Sequence, residues 1–219
     1  MPNPTIETDT DRIRRIYDER APTYDCSLGL VERIAVGPLR RQFGALLSGE
    51  TLEVGVGSGL NLPYYAPAVT RAVGVDLSAE MLLHAQERTR DLPFPATFVQ
   101  ADASALPFAG ETFDTVAISL ALCTIPEPAQ ALREAARVCR RDGRIVLLEH
   151  VRAPAWPLAI AQRILSPLNE RAIGCHLDRD TFGLARSLGF AVEPVASRLF
   201  DIFQLVVARP PASPRVTLD

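Results

Sequence analysis

The chain of 219 residues has no block of like charge, no closely spaced cysteine pair and no apolar stretch of membrane length. Each absence removes a class of function. Lysine plus arginine number 23 against 26 aspartate plus glutamate, a formal charge of −3. Neutralising nucleic-acid phosphates needs clustered Lys and Arg, so no nucleic-acid partner is expected. The four cysteines stand at 26, 123, 139 and 175, and no pair has the C-x-x-C spacing of a metal or redox site. They read as reduced thiols of a cytoplasmic protein, with no metal site expected. The first residues are polar and acidic, unlike a secretory signal. The longest apolar stretch, Val116 to Ile125, falls far short of the roughly 20 residues a spanning helix needs. No membrane span is expected, while contact with a membrane surface stays open. Oligomeric state is not readable.

What the chain does contain is a series of strand ends carrying acids. Leu52-Glu53-Val54-Gly55-Val56-Gly57-Ser58-Gly59 is an apolar run that ends in an acid and three alternating glycines. That is a strand, a tight turn and the start of a helix. Glycine permits positive φ and lets a ligand lie against the backbone, and the helix start offers free N–H groups. About 20 residues on, Val73-Gly74-Val75-Asp76-Leu77-Ser78 ends a second strand in an acid, where a carboxylate can accept both hydroxyls of a ribose. Gln100-Ala101-Asp102-Ala103 ends a third, and Phe113 to Ser119 is a fourth. The length fits one α/β domain, and strands alternating with helices imply a mostly parallel sheet.

With these motifs, and with Leu106-Pro107-Phe108 and Phe113-Asp114 behind them, the chain resembles the class I S-adenosylmethionine-dependent methyltransferases from about Tyr17 to Ala208. The segment Tyr17-Asp18-Glu19-Arg20-Ala21-Pro22-Thr23-Tyr24-Asp25 is similar to the lead-in of the ubiquinone/menaquinone-type group. Leu122-Cys123-Thr124-Ile125, Leu148-Glu149-His150-Val151 and Gly174-Cys175-His176-Leu177-Asp178-Arg179 look like bacterial relatives of alkyl-thiol S-methyltransferases. The resemblance implies a Rossmann-like three-layer sandwich with strand order 3-2-1-4-5-7-6 and the last strand antiparallel. It also implies S-adenosylmethionine as methyl donor, leaving as S-adenosylhomocysteine. Residues 1–25 would form a lid containing Tyr17 and Tyr24, residues 26–208 the methyltransferase domain, and 209–219 a disordered tail.

Several element boundaries follow from local chemistry. Thr10-Asp11 offers an N-cap for a first turn of helix; a longer helix spans 30–47, kinked at Pro38. Strands fall at about 51–55, 71–76, 96–100, 113–119, 144–149, 190–195 and 200–208. Ser78 caps a helix with Met81, Leu82 and Ala85 inward. Residues 154–168 form a helix between prolines whose surplus of apolar side chains should pack partly on the sheet and partly roof the acceptor pocket, and residues 181–188 form another. The last two strands are joined too tightly for a parallel crossover, so they pair antiparallel.

Ligands of open α/β sheets bind beyond the carboxyl ends of the strands. Gly55, Gly57 and Gly59 would wrap the methionine moiety, with Glu53, Asn61, Leu77 and Met81 near them. Asp76 would take the ribose hydroxyls. Asp102 would accept from the adenine amine and the Ala103 N–H would donate to the ring. Ser119 and Leu120 would border the sulfonium. On the acceptor side, Cys123, His150 and His176 are candidates for substrate contact, and the ordinary pKa of histidine suits His150 to general-base work. The expected activity is methylation of a small, fairly apolar thiol, phenol or quinol. Phospholipid or amine N-methylation is the alternative, as is a cofactor-binding subunit without catalysis. A nicotinamide-dependent reading fits less well, because the third glycine sits one residue early.

Overall fold

The computed structural model describes residues 7–211. The start of the expected lid and most of the expected tail lie outside that range. Seven strands form one sheet: β1 (Gly49–Val54), β2 (Val69–Asp76), β3 (Ala96–Gln100), β4 (Phe113–Ser119), β5 (Cys139–His150), β6 (Ala191–Arg198) and β7 (Phe203–Arg209), in the order β3-β2-β1-β4-β5-β7-β6. The first five are parallel. β7 runs antiparallel to both β5 and β6, as its short connection requires. β7 reaches Arg209, the first residue of the segment expected to be a tail.

The sheet is covered on both faces. One core cluster sets Leu52, Val54, Val116, Ile118 and Leu147 against α5 (Pro128–Val138) and α7 (Thr181–Ser187) through Leu132, Ala135, Phe182 and Ala185. The other sets Ala117, Val146, Leu148 and Leu205 against α3 (Gly37–Ala45) through Leu39 and Phe43. Strands buried on both faces are continuous apolar runs, which is why 116–118 and 145–148 carry no polar alternation. Ser78 caps α4 (Ala79–Glu87) by accepting from the Met81 N–H at 3.1 Å.

Several expectations about helices need correction. α1 (Asp9–Arg20) is capped by Thr8, not Thr10, through a 3.1 Å bond from the Asp11 N–H. A 3-10 turn leads into α2 (Tyr24–Val31), and a π-helical turn at Glu32–Val36 joins α2 to α3. The break expected at Pro38 falls on this π turn instead. Pro38 sits in the first turn of α3, where its missing N–H costs nothing. α6 (Trp156–Ile173) runs straight through Pro167, the residue expected to end it. Its apolar side chains neither cover the sheet nor line a pocket. Trp156, Ile164 and Leu168 are 74%, 72% and 69% exposed, and Ser166 is its one buried residue.

Candidate active site

One cavity opens at the carboxyl ends of β1, β2 and β4. Its floor is the glycine turn after β1, with Gly55, Gly57 and Asn61. Asp76 and Leu77 come from β2, Asp102 and Ala103 from the loop after β3, and Ser119 and Leu120 from β4. Eleven of the residues proposed from sequence meet there once Tyr17 and Tyr24 are counted. These two rings lie 6.0 Å apart at 56°, and burial pushes both hydroxyl pKa values up. They sit with Thr10 and Ile13 of α1 on the side of the cavity away from the sheet.

The wall formed by α1 is tied down at several points. Arg12 donates to the Glu170 carboxylate at 2.7 Å and to its carbonyl at 2.9 Å. Ser78 donates to Asp18 at 2.6 Å. Past the helix, Asp25 accepts from Ser58 at 2.6 Å and pairs with Arg88.

Asp76 organises the glycine turn. Its Oδ2 accepts from the Gly57 N–H at 2.8 Å and its Oδ1 from the Ser78 N–H at 2.9 Å. Burial raises its pKa, against the pull of those N–H groups. Two observations leave the cavity with room and an unsatisfied polar group for a nucleoside sulfonium. A Cβ built on Gly57, at φ +54°, would meet nothing within 4 Å, so the backbone there faces open space. Ser119 Oγ is buried without a hydrogen-bond partner among the described residues. A buried hydroxyl of that kind is normally satisfied by something. Leu120 beside it holds a left-handed backbone at φ +53°, a strain of the sort found at ligand sites.

Glu53, Gly59 and Met81 do not line the cavity. Glu53 is fully buried, and Asn61 and Tyr65 both donate to its carboxylate. Burial pushes its pKa up to about 7 despite those bonds and the nearby Arg40. Arg40 continues the network, donating to Asn61 at 2.5 Å and to Glu32 at 2.7 Å. The acid before the glycines therefore braces the turn from beneath. Gly59 serves packing, since a Cβ there would stand 3.0 Å from the Ala85 backbone of α4. Met81 is fully buried in the core. Arg40, Thr10 and Ile13 are cavity residues with no motif around them. The helical pattern of 9–20 hinted at Thr10 and Ile13, and no sequence signal marks Arg40.

Cys123, His150 and His176 also stand back from the cavity lining. His150 Nε2 lies 3.0 Å from Cys175 Sγ. Burial alone would lower the histidine, but the sulfur outweighs it and the pKa rises. The Cys123 thiol and His150 together hold Cys175 down to about 5, while Cys123 is pushed up. His176 is half-buried, and its backbone N–H donates to the Cys123 carbonyl at 3.0 Å. Glu149 accepts from the Ala121 and Leu122 N–H groups at 2.9 Å each, and burial raises it to about 7. Sequence spacing concealed this assembly because its members come from three separate connections.

The comparisons agree with this geometry. The methyltransferase domain model matches residues 52–147. The chain is 35% identical over 208 residues to a phosphatidylethanolamine N-methyltransferase of Cereibacter sphaeroides, covering 93% of each protein. It is 32% identical to a demethylmenaquinone methyltransferase of Renibacterium salmoninarum, covering 68% of this chain and 63% of that one. An S-adenosylmethionine-dependent methyltransferase structure from Thermotoga maritima matches with a TM-score of 0.67 at 20% identity, covering 89% of this chain and 98% of that one. An O-methyltransferase family structure from Burkholderia thailandensis matches with a TM-score of 0.71 at 16% identity, covering 97% and 65%. At those identities the structures speak to the fold alone. With the sequence relatives, the glycine turn and the two strand-end aspartates taken together, the chain belongs to the S-adenosylmethionine-dependent methyltransferases.

Proposed function

We propose that this methyltransferase acts on a small apolar acceptor of the thiol, phenol or quinol type. The distribution of charge around the cavity carries the reading. Of its charged lining residues, Asp76 and Asp102 stand in the cofactor motifs, and Arg40 is turned onto Asn61 and Glu32. Beyond Ser119 the wall is Ile13, Tyr17, Leu120, Ala121, Thr124, Ile125 and Pro126; the Thr124 hydroxyl is spent on the Ala121 carbonyl, and no carboxylate or cation stands there to hold a charged substrate. S-adenosylmethionine supplies an activated methyl group and a leaving group that needs no acid. The chain's own work is to align the acceptor behind that methyl and to keep water out. A screen with labelled methyl donor over thiols, phenols, quinols and amines tests this. Each added methylene should improve binding by about 0.8 kcal/mol until the wall is filled. Preference for charged, hydrophilic acceptors would overturn it.

One observation favours a second reading, a phospholipid amine as acceptor. The exposed apolar residues of α6, Trp156, Ile160, Ile164, Leu165 and Leu168, form a surface suited to a bilayer interface. The phosphatidylethanolamine N-methyltransferase named above is the relative that would share that substrate. Methyl transfer to vesicle lipid but to no soluble acceptor would decide for it.

The lid belongs to the same proposal. Residues 9–20 would close over bound cofactor. Removing residues 1–20 cuts cleanly ahead of the 3-10 turn and takes away Thr10, Ile13 and Tyr17. Losing one or two apolar contacts of about 1.5–3 kcal/mol should weaken cofactor binding at least tenfold. Calorimetry on the shortened chain reads this directly, and unchanged affinity would remove the lid.

A further inference from the structure

The wall beyond Ser119 conceals a cluster of metal-ligating side chains. Cys123 follows β4, His150 ends β5, and Cys175 lies in the turn after α6. Two Sγ atoms and one imidazole nitrogen lie within 4.8 Å of one another. Cys123 and Cys175 are buried. Cys123 Sγ is 3.5 Å from the Leu120 carbonyl, so the cluster abuts the residue expected to border the sulfonium.

Two thiols and an imidazole make a donor set for a soft or borderline cation, zinc above all. Two thiolates would cancel a double positive charge, as a buried site demands. No fourth ligating side chain joins the group among the described residues. Three protein ligands with one open position mark catalytic zinc sites, whereas structural ones are closed by four. The distances allow it. Zn–N of about 2.0–2.1 Å and Zn–S of about 2.3 Å in a tetrahedron put N and S roughly 3.6 Å apart. The observed 3.0 Å between His150 and Cys175 needs only a small spreading.

The surroundings are built to hold such a group. The Ala121 and Leu122 N–H groups bind Glu149, and Arg179 donates to the Leu122 carbonyl and, at 2.8 Å, to that of Ile125. The loop carrying Cys123 is thereby fixed. Asn169 donates to the Cys175 carbonyl at 2.7 Å, and the His176 N–H donates to that of Cys123. Glu149, the neighbour of His150 in sequence, keeps its Oε2 fully buried and without a hydrogen-bond partner among the described residues.

We propose that Cys123, His150 and Cys175 bind a zinc-class divalent cation, and that its open position holds a thiol acceptor as the thiolate beside the sulfonium. The second half rests on the methyltransferase function with an apolar acceptor; the first half stands without it. The thiol gives its proton to solvent on binding. Its sulfur then forms the new bond to the methyl carbon as the carbon–sulfonium bond breaks. The products are a methyl thioether and S-adenosylhomocysteine, and the thioether, a neutral and weaker ligand, departs.

Titration of the reduced, full-length protein with Co²⁺ tests the site. One equivalent should bind, with thiolate-to-cobalt charge-transfer absorption and intense tetrahedral visible bands. Cys123→Ser and Cys175→Ser should each lose most of the charge-transfer absorption, whereas Cys26→Ser and Cys139→Ser should keep it. Adding butanethiol to the cobalt protein should strengthen the charge-transfer band, and phenol should leave it unchanged. Wild-type protein that shows no such band, or a band of undiminished intensity in Cys123→Ser, would overturn the metal site whatever the folding of the variants. A spectrum indifferent to butanethiol would overturn the thiol assignment. Calorimetry with S-adenosylmethionine reports separately on the functional reading, since a chain that takes cobalt but not this cofactor refutes that reading alone.

Discussion

Replacing Asp76 with alanine should weaken S-adenosylmethionine binding by at least a hundredfold. A hydrogen bond to a charged group contributes about 1.5–3 kcal/mol, and a ribose would offer this carboxylate two. The variant also loses the anchor of the glycine turn, because the Gly57 and Ser78 N–H groups both end on Asp76. Asp76→Asn separates the two effects. Burial already disfavours the charged form of this side chain, so the neutral amide should leave the fold intact. Its NH₂ group nevertheless turns a donor toward one of the N–H groups or the ribose, and affinity should still fall tenfold or more. Calorimetry and thermal melts on both variants read the two quantities. Undiminished affinity in either variant would take Asp76 out of the ribose site.

Glu53→Gln should change how stability depends on pH. The Glu53 carboxyl stands at about 7 in the folded chain, against an ordinary value of 4.5. A group raised on folding takes up a proton as the chain folds. Its burden on stability is therefore absent below pH 4.5, grows as pH rises, and is complete above about 7. At 1.36 kcal/mol for each pH unit the difference is about 3 kcal/mol. Wild type should lose that much more stability than Glu53→Gln across the interval, measured by urea unfolding at a series of pH values. Glu149, raised in the same way, contributes equally to both proteins and cancels in the comparison. Parallel curves would mean that Glu53 is charged in the folded state at neutral pH.

Most of the fold, and the gathering of the glycine turn and strand-end aspartates in one cavity, could be read along the chain. Gly55, Gly57, Asp76 and Asp102 are local features, each set by the end of its own strand, and the parallel register of β1, β2, β3 and β4 brings strand ends to one edge without further information. The antiparallel placement of β7 followed from a short connection. Other features depend on partners distant in sequence. Glu53 stands one strand turn from the glycines, yet its side chain points into a network with Arg40 and Tyr65 that no spacing reveals. Cys123, His150 and Cys175 share no motif and meet only because β4, β5 and the turn after α6 end together. α6 misled for a different reason: an apolar helix surface and a buried one look alike until the neighbours are known.

If the cofactor and the metal-bound acceptor sit as proposed, the bond from Arg12 to the end of α6 couples them through one latch. α1 touches the cofactor side of the cavity at Thr10, Ile13 and Tyr17. Through Glu170, and through the packing of Ile13 beside Gly174, it also bears on the turn that presents Cys175. A helix that cannot settle over one ligand without settling the support of the other makes their affinities interdependent. Thermodynamic reciprocity then fixes the size of that dependence. Whatever factor the cofactor adds to acceptor affinity, the acceptor returns to the cofactor.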